Sequence, residues 1–422
     1  MDKFIIEGGI KLKGAVALSG SKNAALPILA ATLLTDSKCV IKNVPPLRDV
    51  YTMLRILRFL GVKVNMEDDV VTIEPKGYKN YKAPYKLVST MRASVCVLGP
   101  ILAKLKHAEV SMPGGCVIGP RPIDLHIKGL RSIGADIKID HGYIVAEVKK
   151  ELRGTRVYLG GNFGSSVLAT ANIMMAATLA KGKTRIESAA CEPEIHDLAN
   201  FLIKMGAKIK GHGTPIIEIT GVSSLHGAEH TVIHDRIEAG TLMIAAAITG
   251  GDITIKHAKE EHVGAIIDKL ELIGIKITKV KDGLRVQKTH SLKPIDATTL
   301  PYPGFPTDMQ AQMTALMSIT KGISIITEKI YPKRFMHVSE LARMGAYINL
   351  EGPTAIVNGV TRLSGAPVMA SDLRASAALI LAGLVAKGKT EISRIYHLDR
   401  GYHNLEEKLE KLGAKIKREK ED

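Results

Sequence analysis

One segment recurs six times along the chain: a helix-like run that ends at a glycine and is followed by a short run of alternating residues. The copies read LRILRFLGVKV, IKGLRSIGADIKI, LANFLIKMGAKIKG, IIDKLELIGIKITKV, HVSELARMGAYINL and LEEKLEKLGAKIKR. Their pivotal glycines are Gly61, Gly134, Gly206, Gly274, Gly345 and Gly413. Copies spaced by about 70 residues predict one supersecondary unit repeated six times. Each glycine stands where a helix must end, a place that favours a residue able to adopt a positive φ.

The first copy predicts the order of elements within a unit. It reads as strand VALSG, helix ALPILAATLL, strand CVIKNV, helix YTMLRILRFL, strand VKVNM and strand VVTIEP. Turn residues separate these runs, and the runs alternate between helical and strand periodicity. The predicted unit is therefore βαβαββ.

The two helices of each unit differ in character. The second carries charge on one face, as in LEEKLEKL, whereas the first is apolar nearly all round, as in ATANIMMAATLA and SAALILAGLVA. Amphipathic helices cover a surface and all-apolar helices are buried. This predicts an inside-out α/β arrangement in which strands and outer helices surround buried helices. Because 422 residues are too many for one core, we expect two domains of three units each.

Composition excludes several classes of protein. With 45% hydrophobic and 24% charged residues, the chain has ample core and no signature of disorder. MDKFIIEGG does not read as a signal peptide, and the apolar runs are too short to span a bilayer. The four cysteines, Cys39, Cys96, Cys116 and Cys191, lack metal-ligand spacing and are too few for a disulfide framework. These features predict a cytoplasmic enzyme without membrane association.

The charge balance predicts anionic ligands. The chain has 58 Lys and Arg against 42 Asp and Glu, a formal net charge of +16, which attracts anions. A basic, non-catalytic repeat protein that binds nucleic acid is one alternative. Only 4% of residues are aromatic and no basic run is interleaved with them, so stacking recognition is disfavoured. Small anionic ligands fit better.

Polar residues precede each of the six apolar helices. Singly, they are ordinary N-caps. We expect the three apolar helices of each domain to point their N-termini to one end of that domain. Together, these polar residues and helix N-termini predict a cleft between the domains that suits phosphates and carboxylates. The residues are Ser21, Lys22 and Asn23; Ser89 and Arg92; Gly164 to Ser166; Asp235 and Arg236; Thr307 and Asp308; and Ser371, Asp372 and Arg374.

Loops add reactive and anion-binding groups. The Gly- and Pro-rich segment 111–126, SMPGGCVIGPRPIDLH, holds Cys116 and Arg121, and a long loop of this kind is usually functional. Cys39 lies in a predicted strand and Cys96 in an apolar helix, where core packing is expected. Arginine follows the apolar strands of the fifth and sixth units, as Arg334 and Arg400, and its planar fork suits bidentate binding of phosphate or carboxylate.

Eight motifs, in order and end to end, carry a resemblance to one family. They are SGSKNAALPILAATLL, PGGCVIGPRPIDLH, EPEIHDLANFL, DRIEAGT, YPGFPTDMQAQ, RFMHVSELARMGA, SDLRASAAL and YHLDRGYHNLEEKL. The chain resembles the UDP-N-acetylglucosamine 1-carboxyvinyltransferases, the enolpyruvyl transferases that open peptidoglycan precursor synthesis. The resemblance implies the enolpyruvyl transferase fold, two inside-out α/β barrels of three units. One domain would span 22–232 and the other 1–21 plus 233–422.

The resemblance also implies a reaction and its residues. Enolpyruvate passes from phosphoenolpyruvate to the 3'-hydroxyl of UDP-N-acetylglucosamine, by addition and elimination through a tetrahedral intermediate, and phosphate leaves. Cys116 would be the general acid and Asp308 the base, with Lys22 and Arg400 also catalytic. Lys22, Arg121 and Arg400 would bind phosphoenolpyruvate, with Asn23 beside Lys22. Arg334 and Arg374 would be accompanying cationic supports at the substrate. The nucleotide sugar would contact Arg92, Arg121, Pro122, Ile123, Asp124, Leu125, Ser166, Val167, Asp308 and Ile330. No metal or organic cofactor is implied.

Two departures from the family pattern and one further alternative remain. The chain reads SSVLAT, with Leu168 where the family commonly has a small residue and Gly164 where a basic residue sometimes stands. Both departures lie in the segment where the resemblance implies uridine contacts. The second enzyme alternative is 3-phosphoshikimate 1-carboxyvinyltransferase, which lacks this cysteine loop and the Pro-Arg-Pro segment.

Overall fold

The computed structural model describes residues 2–113, 123–288 and 291–420. The chain forms two compact units. The described parts of Gly20–Cys116 and Pro120–Ile233 form one, here the N-unit; those of Met1–Ser19 and His234–Asp422 form the other, here the C-unit. Each unit has its own hydrophobic core.

Thirteen α-helices occur in the described residues. They are α1 (Lys22–Ala31), α2 (Arg48–Phe59), α3 (Tyr85–Val88), α4 (Leu98–Leu105), α5 (Asp124–Ser132), α6 (Val167–Ala177), α7 (Pro193–Lys204), α8 (Arg236–Thr249), α9 (Glu260–Ile273), α10 (Gln310–Ser318), α11 (His337–Arg343), α12 (Leu373–Gly383) and α13 (Leu405–Lys411). Four short 3-10 helices add Thr32–Leu34, Arg92–Val97, Thr307–Met309 and Ile395–Arg400.

The same residues contain twenty-six strands. They are β1 (Asp2–Glu7), β2 (Lys13–Ala17), β3 (Cys39–Lys42), β4 (Lys63–Glu67), β5 (Val70–Glu74), β6 (Lys82–Ala83), β7 (His107–Ser111), β8 (Asp136–Asp140), β9 (Tyr143–Glu147), β10 (Arg156–Tyr158), β11 (Gly160–Gly161), β12 (Gly164–Ser165), β13 (Lys183–Glu187), β14 (Lys208–Lys210), β15 (Ile216–Thr220), β16 (Glu229–Thr231), β17 (Asp252–Lys256), β18 (Ile275–Val280), β19 (Gly283–Lys288), β20 (Asp296–Thr298), β21 (Gly322–Thr327), β22 (Tyr347–Glu351), β23 (Thr354–Gly359), β24 (Pro367–Met369), β25 (Lys389–Ser393) and β26 (Lys415–Lys420).

Six four-stranded sheets share one topology: the first two strands are parallel and the remaining pairings antiparallel. The N-unit has the orders β16-β3-β5-β4, β6-β7-β9-β8 and β10-β13-β15-β14. The C-unit has β2-β17-β19-β18, β20-β21-β23-β22 and β24-β25-β1-β26. The repeat seen in the sequence is therefore a repeat of sheet topology, and β11 and β12 form a separate small hairpin.

The pivotal glycines confirm the prediction made from the repeat. Each ends the second helix of its unit with a positive φ. The values are 97° at Gly61, 101° at Gly134, 101° at Gly206, 104° at Gly274, 91° at Gly345 and 99° at Gly413. Residues other than glycine are strained at this conformation.

One strand of the predicted first unit belongs elsewhere. The run VALSG was predicted to begin the unit that contains β3, but β2 pairs in parallel with β17, with Ala15 opposite Thr254. The place beside β3 is taken by β16, with His230 opposite Ile41. Relative to the predicted units, β2 and β16 each pair in the sheet expected for the other. In addition, β1 completes the last sheet of the C-unit. Local sequence predicts that a run is a strand, while its partner depends on residues far along the chain.

The apolar helices lie in the cores, as predicted. In the C-unit, α10 is buried along its whole length, and it packs against α8 and α12. In the N-unit, α6 packs against α4 and α1. The charged second helices, such as α2 and α13, bury one face only. Among the described residues, no helix combines the length and apolar character needed to cross a bilayer.

Candidate active site

In the C-unit, one carboxylate is held between two arginines. Asp308 lies in the 3-10 turn immediately before α10. Its Oδ1 accepts a hydrogen bond from Nη1 of Arg334 at 2.8 Å, and its Oδ2 accepts one from Nη2 of Arg374 at 2.8 Å. The arginine side chains are 5% and 3% exposed, whereas that of Asp308 is 28% exposed. The carboxylate is thus the solvent-facing member of this cluster.

The two guanidinium groups control the ionisation of this carboxyl. Burial opposes its ionisation, but Arg374 and Arg334 more than offset this and hold the pKa of Asp308 well below its usual value. Burial opposes the charge of Arg374, but the attractions of Asp308, Tyr402 and Asp235 together raise its pKa. The cluster is therefore ionised at neutral pH.

Glu328, a residue outside the predicted site, supports this cluster through hydrogen bonds. Its Oε2 accepts from Oγ1 of Thr307 at 2.9 Å, and that hydroxyl oxygen accepts from Nη1 of Arg334 at 3.0 Å. Its Oε1 accepts from the backbone N–H of Ile330 at 2.8 Å and of Tyr331 at 2.9 Å. The predicted site residue Ile330 is thus tied to Arg334 through one buried carboxylate. A single glutamate after an ordinary strand carries no sequence signal for this role.

Arg374 is placed by the start of α12. Oδ1 of Asp372 accepts from the backbone N–H of Arg374 at 2.8 Å and of Ala375 at 3.1 Å, which caps the helix. Within the described part of the chain, Nε and Nη1 of Arg374 are buried and meet no acceptor. Buried donors without partners are costly, so an acceptor at these two atoms would stabilise Arg374.

Arg400 ends the 3-10 helix Ile395–Arg400 and is partly buried. The residue before it, Asp399, is held by Arg418 of β26 through two hydrogen bonds, of 3.0 and 2.7 Å. Nε of Arg418 also donates to Oε1 of Glu406 at 2.7 Å. The segment that carries Arg400 is therefore anchored to the last strand of the C-unit.

In the N-unit, Lys22 begins α1 and forms a buried ion pair. Its Nζ lies 3.0 Å from Oδ2 of Asp49, and the two side chains are 11% and 5% exposed. Oγ of Ser21 caps the helix by accepting from the N–H of Ala24 at 3.3 Å. Asn23 is half-buried beside Lys22. Asp49 lies 27 residues away along the chain and carries no sequence signal for this pairing.

A neutral network lies beside Arg92 in the N-unit. Asn172 of α6 donates from Nδ2 to the carbonyl of Val95 and to Nδ1 of His126, both at 2.9 Å, and its Oδ1 accepts from the N–H of Gly99 at 2.8 Å. The backbone partners fix the amide orientation, so Nε2 of His126 carries the ring proton. Burial and, secondarily, the charge of Arg92 lower the pKa of His126 to about 3.

Other predicted nucleotide-sugar residues begin helices of the N-unit. Ile123 is buried, and Asp124 and Leu125 start α5. Oγ of Ser166 accepts from the N–H of Ala169 at 3.3 Å and caps α6, which starts at Val167. Three further predicted residues, Cys116, Arg121 and Pro122, lie outside the described residues.

Sequence comparison places the chain among known proteins. A family model described as EPSP synthase (3-phosphoshikimate 1-carboxyvinyltransferase) matches residues 6–409. Three proteins named UDP-N-acetylglucosamine 1-carboxyvinyltransferase are 56% identical in Methylacidiphilum infernorum, 56% in Caldanaerobacter subterraneus and 54% in Myxococcus xanthus. The alignments cover 99% of both chains in the first two and 100% in the third. The chain belongs to the UDP-N-acetylglucosamine 1-carboxyvinyltransferase family.

Solved structures add the fold to this family membership. The enolpyruvyl transferase NikO from Streptomyces tendae superposes with a TM-score of 0.88 at 23% identity, covering 99% of both chains. An EPSP synthase from Acinetobacter baumannii gives a TM-score of 0.76 at 19% identity, covering 100% of both chains. The chain has the α/β fold of these enolpyruvyl transferases.

The N-cap prediction holds for four of the six helices. Ser21, Ser166, Asp235 and Asp372 each accept backbone hydrogen bonds at a helix start. It is wrong for Ser89, which ends the short helix α3, because the Arg92–Val97 turn precedes α4.

Thr307 is the second exception. It does not cap α10, because its hydroxyl hydrogen-bonds Glu328 and Arg334 instead.

Cys39 and Cys96 are buried as predicted, and burial raises the pKa of the Cys96 thiol to about 12. Among the described residues, no group of three or more His, Cys, Asp or Glu could hold a metal ion.

Proposed function

We propose that the chain transfers enolpyruvate from phosphoenolpyruvate to the 3'-hydroxyl of UDP-N-acetylglucosamine with release of phosphate. The observation that carries the proposal is the partly exposed Asp308 carboxylate between two buried arginines. Relatives that are 54–56% identical over nearly their whole length carry the corresponding name. An ionised carboxylate next to fixed cations can accept a hydroxyl proton and hold an anionic substrate.

The low pKa of Asp308 bears on its role as a base. A carboxylate paired with two guanidinium groups is ionised but weakly basic. An oxyanion that binds Nε and Nη1 of Arg374 offsets the positive charge beside Asp308 and raises the pKa of its carboxyl. Substrate binding would in this way prepare the base for the sugar hydroxyl. Phosphoenolpyruvate, with a phosphate and a carboxylate, is an anion of this kind.

The proposed reaction balances in two steps. In the addition, the sugar oxygen bonds to the central carbon of phosphoenolpyruvate, Asp308 takes the hydroxyl proton and Cys116 protonates the methylene carbon. In the elimination, Cys116 takes a proton back from the methyl group, the carbon–carbon double bond re-forms and the carbon–oxygen bond to phosphate breaks, while the proton held by Asp308 passes to the departing phosphate. Lys22 and Arg400, with Arg121, would stabilise the charge on phosphate and carboxylate. The buried pair with Asp49 supports this role for Lys22, because it fixes the ammonium group.

Nucleotide-sugar contacts are proposed for residues of both units. In the N-unit they are Arg92, Ile123, Asp124, Leu125, Ser166 and Val167, with Arg121 and Pro122. The helix starts at Asp124 and Val167 support anion binding there. In the C-unit they are Asp308 and Ile330, supported by the hydrogen bonds of Glu328 to the Ile330 backbone and to Thr307.

We further propose that the two units are the domains expected at 22–232 and at 1–21 with 233–422, each closing as an inside-out barrel. Six sheets of one topology around buried helices support this. The cytoplasm is the proposed location, since Cys39, Cys96 and Cys191 are unpaired thiols.

Phosphate release from phosphoenolpyruvate, with and without UDP-N-acetylglucosamine, tests the proposed function. The wild type should release phosphate only with the sugar, and Cys116→Ala and fosfomycin, a probe of the thiol, should each abolish the release. Cys39→Ala serves as the control, because this thiol is buried in β3. Release with shikimate 3-phosphate in place of the sugar would instead identify the alternative acceptor.

A further inference from the structure

Tyr402 lies two residues after Arg400 and is 2% exposed. Its hydroxyl oxygen is 2.8 Å from Oγ1 of Thr241 on α8. That threonine donates its single hydroxyl hydrogen to the carbonyl of Ile237 at 2.8 Å. The tyrosine hydroxyl must therefore be the donor to Thr241. This hydrogen bond restricts the position of the Tyr402 ring.

Gln312 joins this pair to the Asp308 turn. Its Nε2 donates to the backbone carbonyl of Asp308 at 2.9 Å. The same amide nitrogen lies 3.3 Å from the hydroxyl of Tyr402 and 3.2 Å from Oγ1 of Thr241. Hydrogen bonds thus run from Gln312 to Tyr402 and on to Thr241, and they connect α10, α8 and the segment after Arg400. These contacts restrict the movement of the three side chains, while Oε1 of Gln312 is buried and meets no donor among the described residues.

The ring of Tyr402 faces Arg374. The guanidinium carbon of Arg374 lies 5.2 Å from the ring centroid, within cation–π range. The adjacent Gly401 packs against Leu373 so closely that a Cβ would come within 2.5 Å of its side chain. Tyr402 therefore contacts both Arg374, which binds Oδ2 of Asp308, and Gln312, which binds the backbone carbonyl of Asp308.

We propose that Tyr402 is a positioning residue for the transfer reaction, whose ring sets the plane of Arg374 against Asp308 while its hydroxyl is fixed by Thr241 and Gln312. This inference rests on the proposed function. Tyr78 in the N-unit provides the comparison, because it is also buried and its hydroxyl donates to the carbonyl of Leu33 at 3.1 Å. Tyr78 therefore serves as the control, a buried tyrosine with a packing role.

The test compares Tyr402→Leu, Tyr402→Phe and Tyr78→Phe in the full chain. Tyr402→Leu removes the ring from Arg374 and is expected to lower kcat/KM about tenfold. Tyr402→Phe keeps the ring and should lose only about threefold, because one hydrogen-bonded hydroxyl is removed. Tyr78→Phe should lower the melting temperature and leave kcat/KM unchanged. In an Arg374→Lys background, Tyr402→Leu should cause only the further loss of about threefold that removal of the hydroxyl causes, since the contact between ring and guanidinium is already broken.

Two results would overturn the proposal: an unchanged kcat/KM in Tyr402→Leu, or a tenfold loss that persists in full in the Arg374→Lys background. If Tyr402→Leu does not fold, Thr241→Val removes the hydroxyl's acceptor and should lose about threefold in kcat/KM; no loss would reject the proposal.

Crystal structures of Tyr402→Phe and Tyr402→Leu give a test that does not depend on enzymatic activity. In Tyr402→Leu, the 2.8 Å contact between Nη2 of Arg374 and Oδ2 of Asp308 should lengthen beyond hydrogen-bonding distance, and an unchanged contact would reject the positioning role. An inactive wild type, by contrast, would reject the proposed function and leave this structural readout valid.

Discussion

The two units bury polar groups of different chemistry at two of their apolar helices. In the C-unit, α10 begins beside a charged cluster, in which Asp308 holds Arg334 and Arg374. In the N-unit, α6 instead carries Asn172, which binds the neutral His126 and two backbone groups. Both units have the same sheet topology. The repeated fold therefore does not dictate the charge that it buries.

The difference lies in which groups have partners. Both polar ends of the Asn172 amide are hydrogen-bonded within the N-unit. In the C-unit, two donors of Arg374 have no acceptor among the described residues. A complete network stabilises a unit by itself, whereas an incomplete one favours a ligand that completes it. The comparison indicates a structural role for Asn172 and supports the ligand-binding role that we propose for Arg374.

The largest expected effect comes from Asp308→Asn. The amide cannot balance two buried guanidinium groups, so the free energy of unfolding should fall by about 3 kcal/mol. Loss of the proposed base should lower kcat/KM by about 10³-fold. Urea unfolding and phosphate release measure the two quantities.

Asp252→Asn is the matched control for this change. Asp252 binds Arg285 on the exposed face of β17, with an Oδ2–Nη2 distance of 2.7 Å. Its substitution should cost less than about 1 kcal/mol. Equal losses of stability from the two substitutions would contradict the view that the buried arginines depend on Asp308.

The next effect tests the neutral network of the N-unit. Asn172→Leu leaves the N–H of Gly99 and the carbonyl of Val95 buried without their partner, which should cost about 3 kcal/mol in unfolding free energy. Asn200→Leu is the control, because Asn200 contacts His196 and His212 near the surface. Its cost should stay below about 1 kcal/mol. Similar midpoints in urea for both variants would refute a special role for Asn172.

The third effect depends on pH. The pKa of His126 is lowered to about 3 in the folded chain, so the unfolded chain binds its proton first as the pH falls below about 6.5. Stability is complete above that pH and is lost progressively between about 6.5 and 3, by about 2 kcal/mol at pH 5. Asp308 has a depressed pKa, so its contribution is lost only below about pH 4.

His126→Gln should therefore flatten the dependence of unfolding free energy on pH between 7 and 5. His141→Gln, at a site whose side chain is 95% exposed, should leave that slope unchanged. An unchanged slope in His126→Gln would show that His126 is protonated while folded.

The smallest effect concerns the departures at the start of α6. Gly164 has φ of 94° in the β11–β12 hairpin, so the basic residue that relatives sometimes carry is strained here. Gly164→Lys should cost about 1–2 kcal/mol. A side chain at Gly264 in α9 would extend into open space, so Gly264→Lys should change the free energy of unfolding by less than about 0.5 kcal/mol. Thermal denaturation compares the two, and equal melting temperatures would count against backbone strain at Gly164.

Much of the fold and part of the site could be predicted from local sequence. The six pivotal glycines, the buried apolar helices and four of the N-caps depend on residues within about one helical turn of each other. The family resemblance supplied Asp308, Arg334 and Arg374 as site residues, but not their pairing. Glu328 and Asp49 escaped prediction, because a single acidic residue after an ordinary strand or at a helix start has no distinguishing pattern.

The sequence by itself determined the repeated unit, the identity of its buried helices and the places where those helices end. Only the tertiary structure decided which strands pair, so that β2 joins β17 and β16 joins β3. It also decided that Arg374 meets Asp308 across 66 residues and that Tyr402 meets Thr241 across 161. The physical reason is that helix periodicity and capping act between near neighbours, whereas strand partners and buried charge pairs form between segments that only the folded chain brings together.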